Sequence, residues 1–194
     1  ELEAIKEAYT GETIVQVGFN RRFSPMIEKM KKFISGQISV NYRINAGIIP
    51  KNVWIQDRTI GGGRIIGEVC HFIDTCSYLI GSEVKSVFAT TIQKSDQSIP
   101  DEDNVNIVLN YANGSTATIS YYAYGDNSMP KEYIEVFSSG LSMQMNDLRE
   151  LTTFKGGKSS KEKSANQDKG FVNEFKAFKE AVKSGNEAID MKSI

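Results

Sequence analysis

Residues 61–74, with the sequence GGGRIIGEVCHFID, join a glycine triplet to a helix that carries the single histidine of the chain, His71. At 3.6 residues per turn, one stripe of this helix is polar although most of its other positions are apolar. Because buried polar groups need partners, a basic, an acidic and a titratable group on one stripe indicate a functional site. The stripe consists of Arg64, Glu68, His71, Thr75 and Tyr78.

The residue order around the glycine triplet also favours a site. Glycine lets a ligand approach the backbone closely, and the free N–H groups at a helix start attract anions. Arg64 lies in this first turn, where its charge is unfavourable for the helix dipole, so helix stability does not explain it. The alternative is a flexible loop followed by an ordinary core histidine.

The composition is that of an ordinary globular protein. The 194 residues are 40% hydrophobic and 24% charged, and the net charge of −1 gives no field that favours nucleic acid or an anionic membrane. No apolar run reaches the length of a membrane span. Cys70 and Cys76, six positions apart on one helix, cannot pair with each other and indicate a reducing, cytoplasmic compartment. One histidine and no CxxC spacing predict that there is no metal site.

The order of patterns predicts an α+β fold with a large, mostly antiparallel (mixed), open-faced sheet and helices on one face. A helix that ends at Gly11 and an apolar strand at 13–19 are typical of the end of a larger α/β unit. Ser24-Pro25 begins a second helix, and the glycine triplet leads into a third that ends near Gly81. Strands are predicted at 39–45, 84–93, 104–111, 115–124, 131–138, 141–146 and 149–154.

The end of the chain is predicted to hold a polar loop at 155–169 and an amphipathic helix at 171–183. The apolar residues expected to face inward on this helix are Phe171, Val172, Phe175, Phe178 and Val182.

The sheet face away from the helices is predicted to be open. If apolar, it would be a partner surface; the alternative is a face covered by long polar side chains. Its aromatic candidates are Tyr111, Tyr121 or Tyr122, Tyr124, Tyr133 and Phe137.

Two segments together resemble the Gfo/Idh/MocA oxidoreductases, the relatives of glucose–fructose oxidoreductase and inositol dehydrogenase. They are residues 17–25, VGFNRRFSP, and the glycine-triplet helix with its HxxD ending at Asp74. The run from Arg43 to Pro50, followed by Trp54, is most similar to members linked to bacterial surface-sugar and sugar-nucleotide metabolism. The resemblance covers nearly the whole chain.

The resemblance implies a domain organisation. Family members have an N-terminal Rossmann domain that binds NAD or NADP, followed by a substrate and oligomerisation domain. This sequence has no GxGxxG and no Glu-Lys-Pro segment, whose lysine is usually catalytic in the family. We therefore expect residues 1–23 to be the last helix and strand of a Rossmann domain and residues 24–194 to be an incomplete C-terminal domain. Such a fragment is expected to be inactive alone and to form a homo-oligomer through the open sheet face.

The implied reaction transfers a hydride between a nicotinamide cofactor and a hydroxyl-bearing carbon of a sugar, sugar nucleotide or cyclitol. His71 is the implied base or proton relay, since its ordinary pKa lies near neutrality. Many members carry an aspartate where this chain has Gly67; Glu68 either takes over that role or pairs with Arg64. Asp74 either orients His71, binds a substrate hydroxyl, or makes a helix-face hydrogen bond.

Further candidates are assigned to the two ligands. Basic groups near a helix start suit a phosphate or carboxylate, as in a nucleotide sugar, and Trp54 either stacks on a sugar or anchors its loop. Asn20 and Arg22 are cofactor-side candidates, although Arg22 alternatively pairs with an acid on the next helix. The alternative function is a non-catalytic binding or oligomerisation module. The substrate-side candidates are Arg43, Asn45, Lys51, Trp54 and Arg64.

Overall fold

A computed structural model describes residues 2–92 and 103–189 of the chain. The helices are α1 (Leu2–Ala8), α2 (Pro25–Phe33), α3 (Cys70–Ile80) and α4 (Phe171–Ser184). The strands are β1 (Ser39–Asn45), β2 (Val84–Thr91), β3 (Asn104–Tyr111), β4 (Thr116–Tyr122), β5 (Glu132–Ser138), β6 (Leu141–Asn146), β7 (Glu150–Lys155) and β8 (Lys158–Lys163).

The strands form one eight-stranded sheet in the order β2-β3-β4-β1-β5-β6-β7-β8. β1 pairs in parallel with β4, and the other neighbouring pairs are antiparallel. In β1, Val40, Tyr42 and Ile44 are buried while the residues between them are more exposed, because successive side chains of a strand point to opposite faces. The predicted mixed, mostly antiparallel sheet is confirmed.

The helices cover the apolar face of this sheet. α2 begins at Pro25 after Ser24 and buries Ile27 and Met30. α3 contributes Phe72, whose ring lies 5.1 Å from that of Tyr42, measured between centroids. The core is therefore continuous between α2, α3 and the central strands.

Two predicted segments differ from the structure. Residues 14–19 follow α1 without forming a strand, since an apolar segment becomes a strand only when a neighbouring strand receives its hydrogen bonds. Residues 158–163, predicted as loop, form β8 because the Gly156-Gly157 turn folds them back onto β7. The end of the strand predicted at 84–93 lies outside the described residues.

The helix after the glycine triplet begins with a π turn, Ile65–Val69, before it becomes α3. The wider turn departs from the 3.6-residue period that predicted one continuous polar stripe. Glu68 lies inside this π turn and His71 in the first turn of α3, and the Glu68 carboxylate makes no hydrogen bond with His71 Nδ1.

The open sheet face is polar at its centre. Tyr111 was expected there but is buried in the core face, because it lies in register with the apolar positions of β3. Of the alternatives Tyr121 and Tyr122, Tyr121 is buried in the core and Tyr122 lies on the open face. Tyr122, Tyr124 and Tyr133 are half-buried and Phe137 is 45% exposed. Short polar side chains, rather than a continuous apolar patch, fill most of the remaining positions of this face.

α4 presents its apolar stripe outward, contrary to the prediction. The helix buries Glu174 and Ala181 instead, and it packs on the 3₁₀ turn Asn20–Phe23. Phe178 is half-buried. The other residues of the stripe are exposed: Phe171, Val172, Phe175 and Val182.

Cys70 and Cys76 are both free thiols. No helix within residues 2–92 and 103–189 combines the length and the apolar character that crossing a membrane requires. The same part of the chain holds no group of three or more His, Cys, Asp or Glu side chains that could bind a metal ion.

Candidate functional site

A cleft of about 710 Å³ lies between residues 18–21, the 46–55 loop and the start of the α3 helix. Lys131 and residues 169–171 complete its rim. Five of the predicted site residues line this cleft: Asn20, Trp54, Arg64, Glu68 and His71.

His71 lies half-buried on α3, with its ring edge-on to Phe19 at a centroid distance of 5.8 Å. Its Nδ1 atom is buried and has no hydrogen-bond partner within the described residues. Burial lowers the pKa of His71 and the charge of Arg21 lowers it further, against the opposing effect of Glu68. The imidazole is therefore neutral at pH 7, the form that accepts a proton.

Glu68 is held by three donors. Lys131 Nζ binds Oε1, and both the Tyr121 hydroxyl and Arg64 Nη2 donate to Oε2, the latter at 3.2 Å. Burial raises the pKa of Glu68, but the hydrogen bond and charge of Lys131, the Tyr121 hydroxyl and Arg64 outweigh burial and lower the pKa to about 2. Glu68 is a fixed negative charge in the cleft and does not contact His71 Nδ1.

Arg64 is a structural residue of the cleft wall. Its side chain is 2% exposed, and its Nη1 and Nη2 donate to the carbonyls of Gly47 at 2.6 Å and Ala46 at 3.3 Å. The guanidinium also lies over the Tyr121 ring, 5.1 Å from the centroid. The predicted pairing of Arg64 with Glu68 is confirmed, and these contacts occupy much of the guanidinium that was expected to bind substrate.

A second buried ion pair, missed in the sequence, lies beneath the cleft. Arg21 Nε and Nη2 donate to Glu132 at 2.9 to 3.2 Å, and the Tyr42 hydroxyl donates to the same carboxylate. The guanidinium packs over Phe72 at 4.6 Å. Arg21 also lines the cleft, so the pair joins the 3₁₀ turn to the first residue of β5 at the site itself.

Two predicted site residues pair with each other. Arg22 donates through Nε and Nη2 to the carboxylate of Asp74, which lies on α3 rather than on the helix that follows Arg22. Burial raises the pKa of Asp74, and the charge of Arg22 opposes that rise. Neither residue lines the cleft, and their ion pair joins the 3₁₀ turn to α3.

Asn20 is buried at the cleft wall, where its Nδ2 donates to the carbonyl of Lys169 at 2.7 Å. The chain reaches this contact through Gly170, which has a φ of 90°. A Cβ at Gly170 would lie 2.3 Å from the carbonyl oxygen of Asn20, so glycine is required for the approach.

The glycine triplet serves the fold more than a ligand. A Cβ at Gly61 would lie 2.4 Å from Ile55 Cα, so the close approach predicted for a ligand is made by the chain's own 54–56 turn. That turn holds Trp54 at the cleft with 64% of the residue exposed. The indole is therefore available to a ligand and is not the core anchor of its loop.

Three substrate-side candidates lie outside the cleft. Arg43 falls on the open sheet face, because it alternates with the buried Tyr42 and Ile44, and its Nη1 donates to the carbonyl of Pro130 at 2.7 Å. Asn45 donates to the carbonyl of Asp126 at 2.7 Å. The third candidate, Lys51, is exposed.

Lys131, Lys169 and Arg21 line the cleft but were not among the predicted residues. A signal for Arg21 was present, since it lies between the two chosen residues of the NRRF motif. Lys131 and Lys169 follow loops with no motif of their own, and only the folded chain brings them to the cleft.

Comparison with known proteins identifies the family. The model of the GFO/IDH/MocA C-terminal domain matches residues 34–140, more than half of the chain. The chain belongs to the GFO/IDH/MocA family. This confirms the resemblance found in the VGFNRRFSP and glycine-triplet segments.

Other GFO/IDH/MocA-type proteins resemble the chain over most of its length. The myo-inositol 2-dehydrogenase of Thermotoga maritima is 28% identical over an alignment of 198 positions, gaps included, that covers 93% of this chain and 58% of that enzyme. The aldose-aldose oxidoreductase of Caulobacter crescentus shares the fold with a TM-score of 0.78 and 21% identity, over 97% of this chain and 58% of that one. Levoglucosan dehydrogenase shares it with a TM-score of 0.76 and 18% identity, over 97% and 62%. The chain spans less than two thirds of each of these relatives.

The Glu68 network predicts a specific acid sensitivity. Because folding lowers the pKa of Glu68 from 4.5 to about 2, its contribution to stability is complete above pH 4.5 and is lost as the pH falls towards 2. In Glu68→Gln, the free energy of unfolding measured in urea should therefore depend less on pH over this interval than in the wild type. Glu180→Gln, at an exposed position of α4, is the control, and an unchanged pH dependence in Glu68→Gln would contradict the assignment.

The Arg21–Glu132 pair predicts strong coupling between two distant residues. Glu132→Leu leaves the buried Arg21 charge without its partner and should lower the free energy of unfolding by about 3–5 kcal/mol. The double variant Arg21→Met/Glu132→Leu removes both charges and should recover most of that loss. Additive losses in this double-mutant cycle, measured by urea denaturation, would show that the two side chains do not interact.

Proposed function

We propose that this GFO/IDH/MocA domain forms the substrate side of an NAD- or NADP-dependent oxidoreductase. The reaction would transfer a hydride between the nicotinamide and a hydroxyl-bearing carbon of a sugar, sugar nucleotide or cyclitol. The observation that carries the proposal is the neutral, half-buried His71 at the wall of a cleft, with a buried ring nitrogen that no described residue bonds.

His71 would take the proton of the substrate hydroxyl during oxidation. A general base must be unprotonated at the working pH and within reach of the proton, and the lowered pKa of His71 meets the first condition. Glu68 would stabilise the imidazolium that forms, as a nearby carboxylate whose charge raises the pKa of His71. Trp54 would offer its exposed indole to the apolar face of the sugar ring.

The cofactor is only partly accommodated by this chain. The described residues that line the cleft contain no glycine-rich phosphate turn, and the two predicted cofactor residues are already occupied: Asn20 bonds to Lys169, and Arg22 to Asp74. The dinucleotide as a whole therefore does not fit the described residues. When bound elsewhere in the protein, nicotinamide supplies the hydride acceptor, while this chain handles substrate and proton.

We propose that residues 1–23 are the end of the nucleotide-binding domain and that residues 24–194 belong to the substrate domain. The exposed stripe of α4 supports this division, because Phe171 lines the cleft and Phe175 is 70% exposed one turn further on. Since the relatives are longer than this chain, the nucleotide-binding domain is the occupant proposed for that stripe. The chain alone would then be inactive.

The relatives support a nicotinamide cofactor and a polyol substrate. One is described as a myo-inositol 2-dehydrogenase, and levoglucosan dehydrogenase was solved in complex with NADH and levoglucosan. Both descriptions concern those proteins; the chemistry proposed for this chain rests on His71 and its cleft.

The test uses the complete protein that contains this chain, with nicotinamide reduction followed in the presence of sugars and cyclitols. His71→Asn should lower kcat by about 10²–10⁴-fold, the usual contribution of a general base, with little change in KM. In the wild type kcat/KM should fall on the acid side of the ordinary histidine pKa, where His71 with its lowered pKa becomes protonated, and this limb should be absent from the variant.

Cys70→Ser, on the same helix turn, is the matched control and should keep the wild-type kcat. Wild-type kcat in His71→Asn would exclude His71 as the base. Absence of nicotinamide reduction with every class of substrate would instead favour a non-catalytic binding module.

We also propose that the open sheet face joins copies of this protein into a homo-oligomer. Phe137, 45% exposed near the end of β5, is an exposed aromatic residue of this face. Phe137→Glu should lower the mass measured by light scattering, whereas Phe33→Glu, 47% exposed on α2, should leave the mass unchanged. A wild-type protein that is monomeric at working concentration would contradict the proposal.

A further inference from the structure

We propose that this cleft selects an anionic substrate, a sugar that carries a carboxylate or phosphate group, and that Lys131 binds the anionic group. The inference rests on the proposed function, since it names the substrate class of the same cleft. Lys131 lies outside the sequence motifs that predicted the other site residues.

Cationic side chains outnumber acidic ones around the cleft. Among the described residues that line it, Glu68 is the one acidic side chain. Two further carboxyl groups contact the arginines from behind the wall, Glu132 at 2.9 Å from Arg21 and Asp103 at 4.0 Å from Arg64. The lining cations still exceed these three acids in number; they are Arg21, Arg64, Lys131 and Lys169.

The two arginines of this set are committed to the fold. Arg64 is 2% exposed and bonds to two carbonyls and to Glu68. Arg21 is 6% exposed and gives Nε and Nη2 to Glu132. Both side chains contribute positive charge to the cleft wall, but their existing hydrogen bonds prevent either guanidinium from turning towards a ligand.

Lys131 differs from the arginines in exposure and in free donors. Its side chain is 35% exposed, and its Nζ contacts Glu68 Oε1. An ammonium group has three N–H donors, so two remain for a ligand while Glu68 holds the third. Lys131 is thus a positioned cation at the cleft, which lowers the entropy lost when it binds an anion.

Glu68 offsets one of the positive charges, and Lys131, Arg64 and the Tyr121 hydroxyl all contact its carboxylate; the four cations still exceed the three acids by one. Lys169 adds a further positive charge to the rim of the cleft. An uncharged polyol would leave this excess charge without a partner, whereas a carboxylate or phosphate would form a charge-assisted hydrogen bond with Lys131.

The experiment compares ligands that differ by a single charged group. The complete protein with its nicotinamide cofactor is titrated calorimetrically with glucuronate and glucose 6-phosphate, and with glucose as the uncharged match. We expect both anions to bind at least about tenfold more tightly than glucose, the effect of one charge-assisted hydrogen bond. Added salt should reduce this ratio, and a difference between the two anions would distinguish a carboxylate site from a phosphate site.

Variants assign the preference to one side chain. Lys131→Met should bring the ratio between anionic and neutral ligands close to one, and Lys131→Arg should retain most of it. Lys32→Met, at an exposed position of α2, controls for the loss of one positive charge. An unchanged ratio in Lys131→Met, or equal binding of glucose and both anions by the wild type, would overturn the inference.

The outcomes separate this inference from the proposed function. If glucose is bound and oxidised while the anions are not, the oxidoreductase proposal stands and the anionic substrate is excluded. If the anions bind through Lys131 but no hydride reaches the nicotinamide with any sugar, the binding inference stands and the proposed reaction is wrong.

Discussion

The buried ion pair of Arg21 and Glu132 is the interaction on which the site depends. It joins residues 111 positions apart, and it is closed by the Tyr42 hydroxyl and by Phe72 beneath the guanidinium. Because removal of either charge would leave the other buried without a partner, the 3₁₀ turn is held against the sheet. Since Lys131 directly precedes Glu132, the same pair fixes the backbone next to Lys131, which lines the cleft.

A second network fixes the wall that carries the histidine. Arg64 bonds to the carbonyls of Ala46 and Gly47 as well as to Glu68. These hydrogen bonds connect the segment that follows β1 to the π turn. The network supplies a hydrogen-bond donor to each carboxylate oxygen of Glu68, whereas His71 Nδ1 has no hydrogen-bond partner among the described residues. A buried nitrogen without a partner lowers stability by about 1–3 kcal/mol, and such local instability is commonly found at functional sites rather than in plain cores.

The sequence predicted the architecture more accurately than it predicted the side-chain contacts. The alternation of β1 and the Ser24-Pro25 pair are local signals, and both elements form where these signals place them. The Ser24 hydroxyl makes no cap hydrogen bond and instead donates to the carbonyl of Asp168. The segment 13–19 was wrong because strand formation depends on a neighbour that local pattern does not reveal. Arg43, a substrate-side candidate, does not line the cleft for a simpler reason: the alternation that predicts the strand also places Arg43 on the face opposite Tyr42.

The sequence predicted some residues of the candidate site and missed others, and the difference has a physical cause. His71, Glu68 and Arg64 lie within eight consecutive residues, 64–71, so their proximity follows from their closeness in the sequence. The partners that determine what these residues do come from elsewhere: Lys131 and Tyr121 hold Glu68 from 63 and 53 positions away. Glu68 lies in the π turn Ile65–Val69, and its carboxylate bonds to those partners rather than to His71 Nδ1. The ion pair with Glu68 positions Lys131 at the cleft, and it leaves the buried Nδ1 of His71 without a hydrogen-bond partner among the described residues.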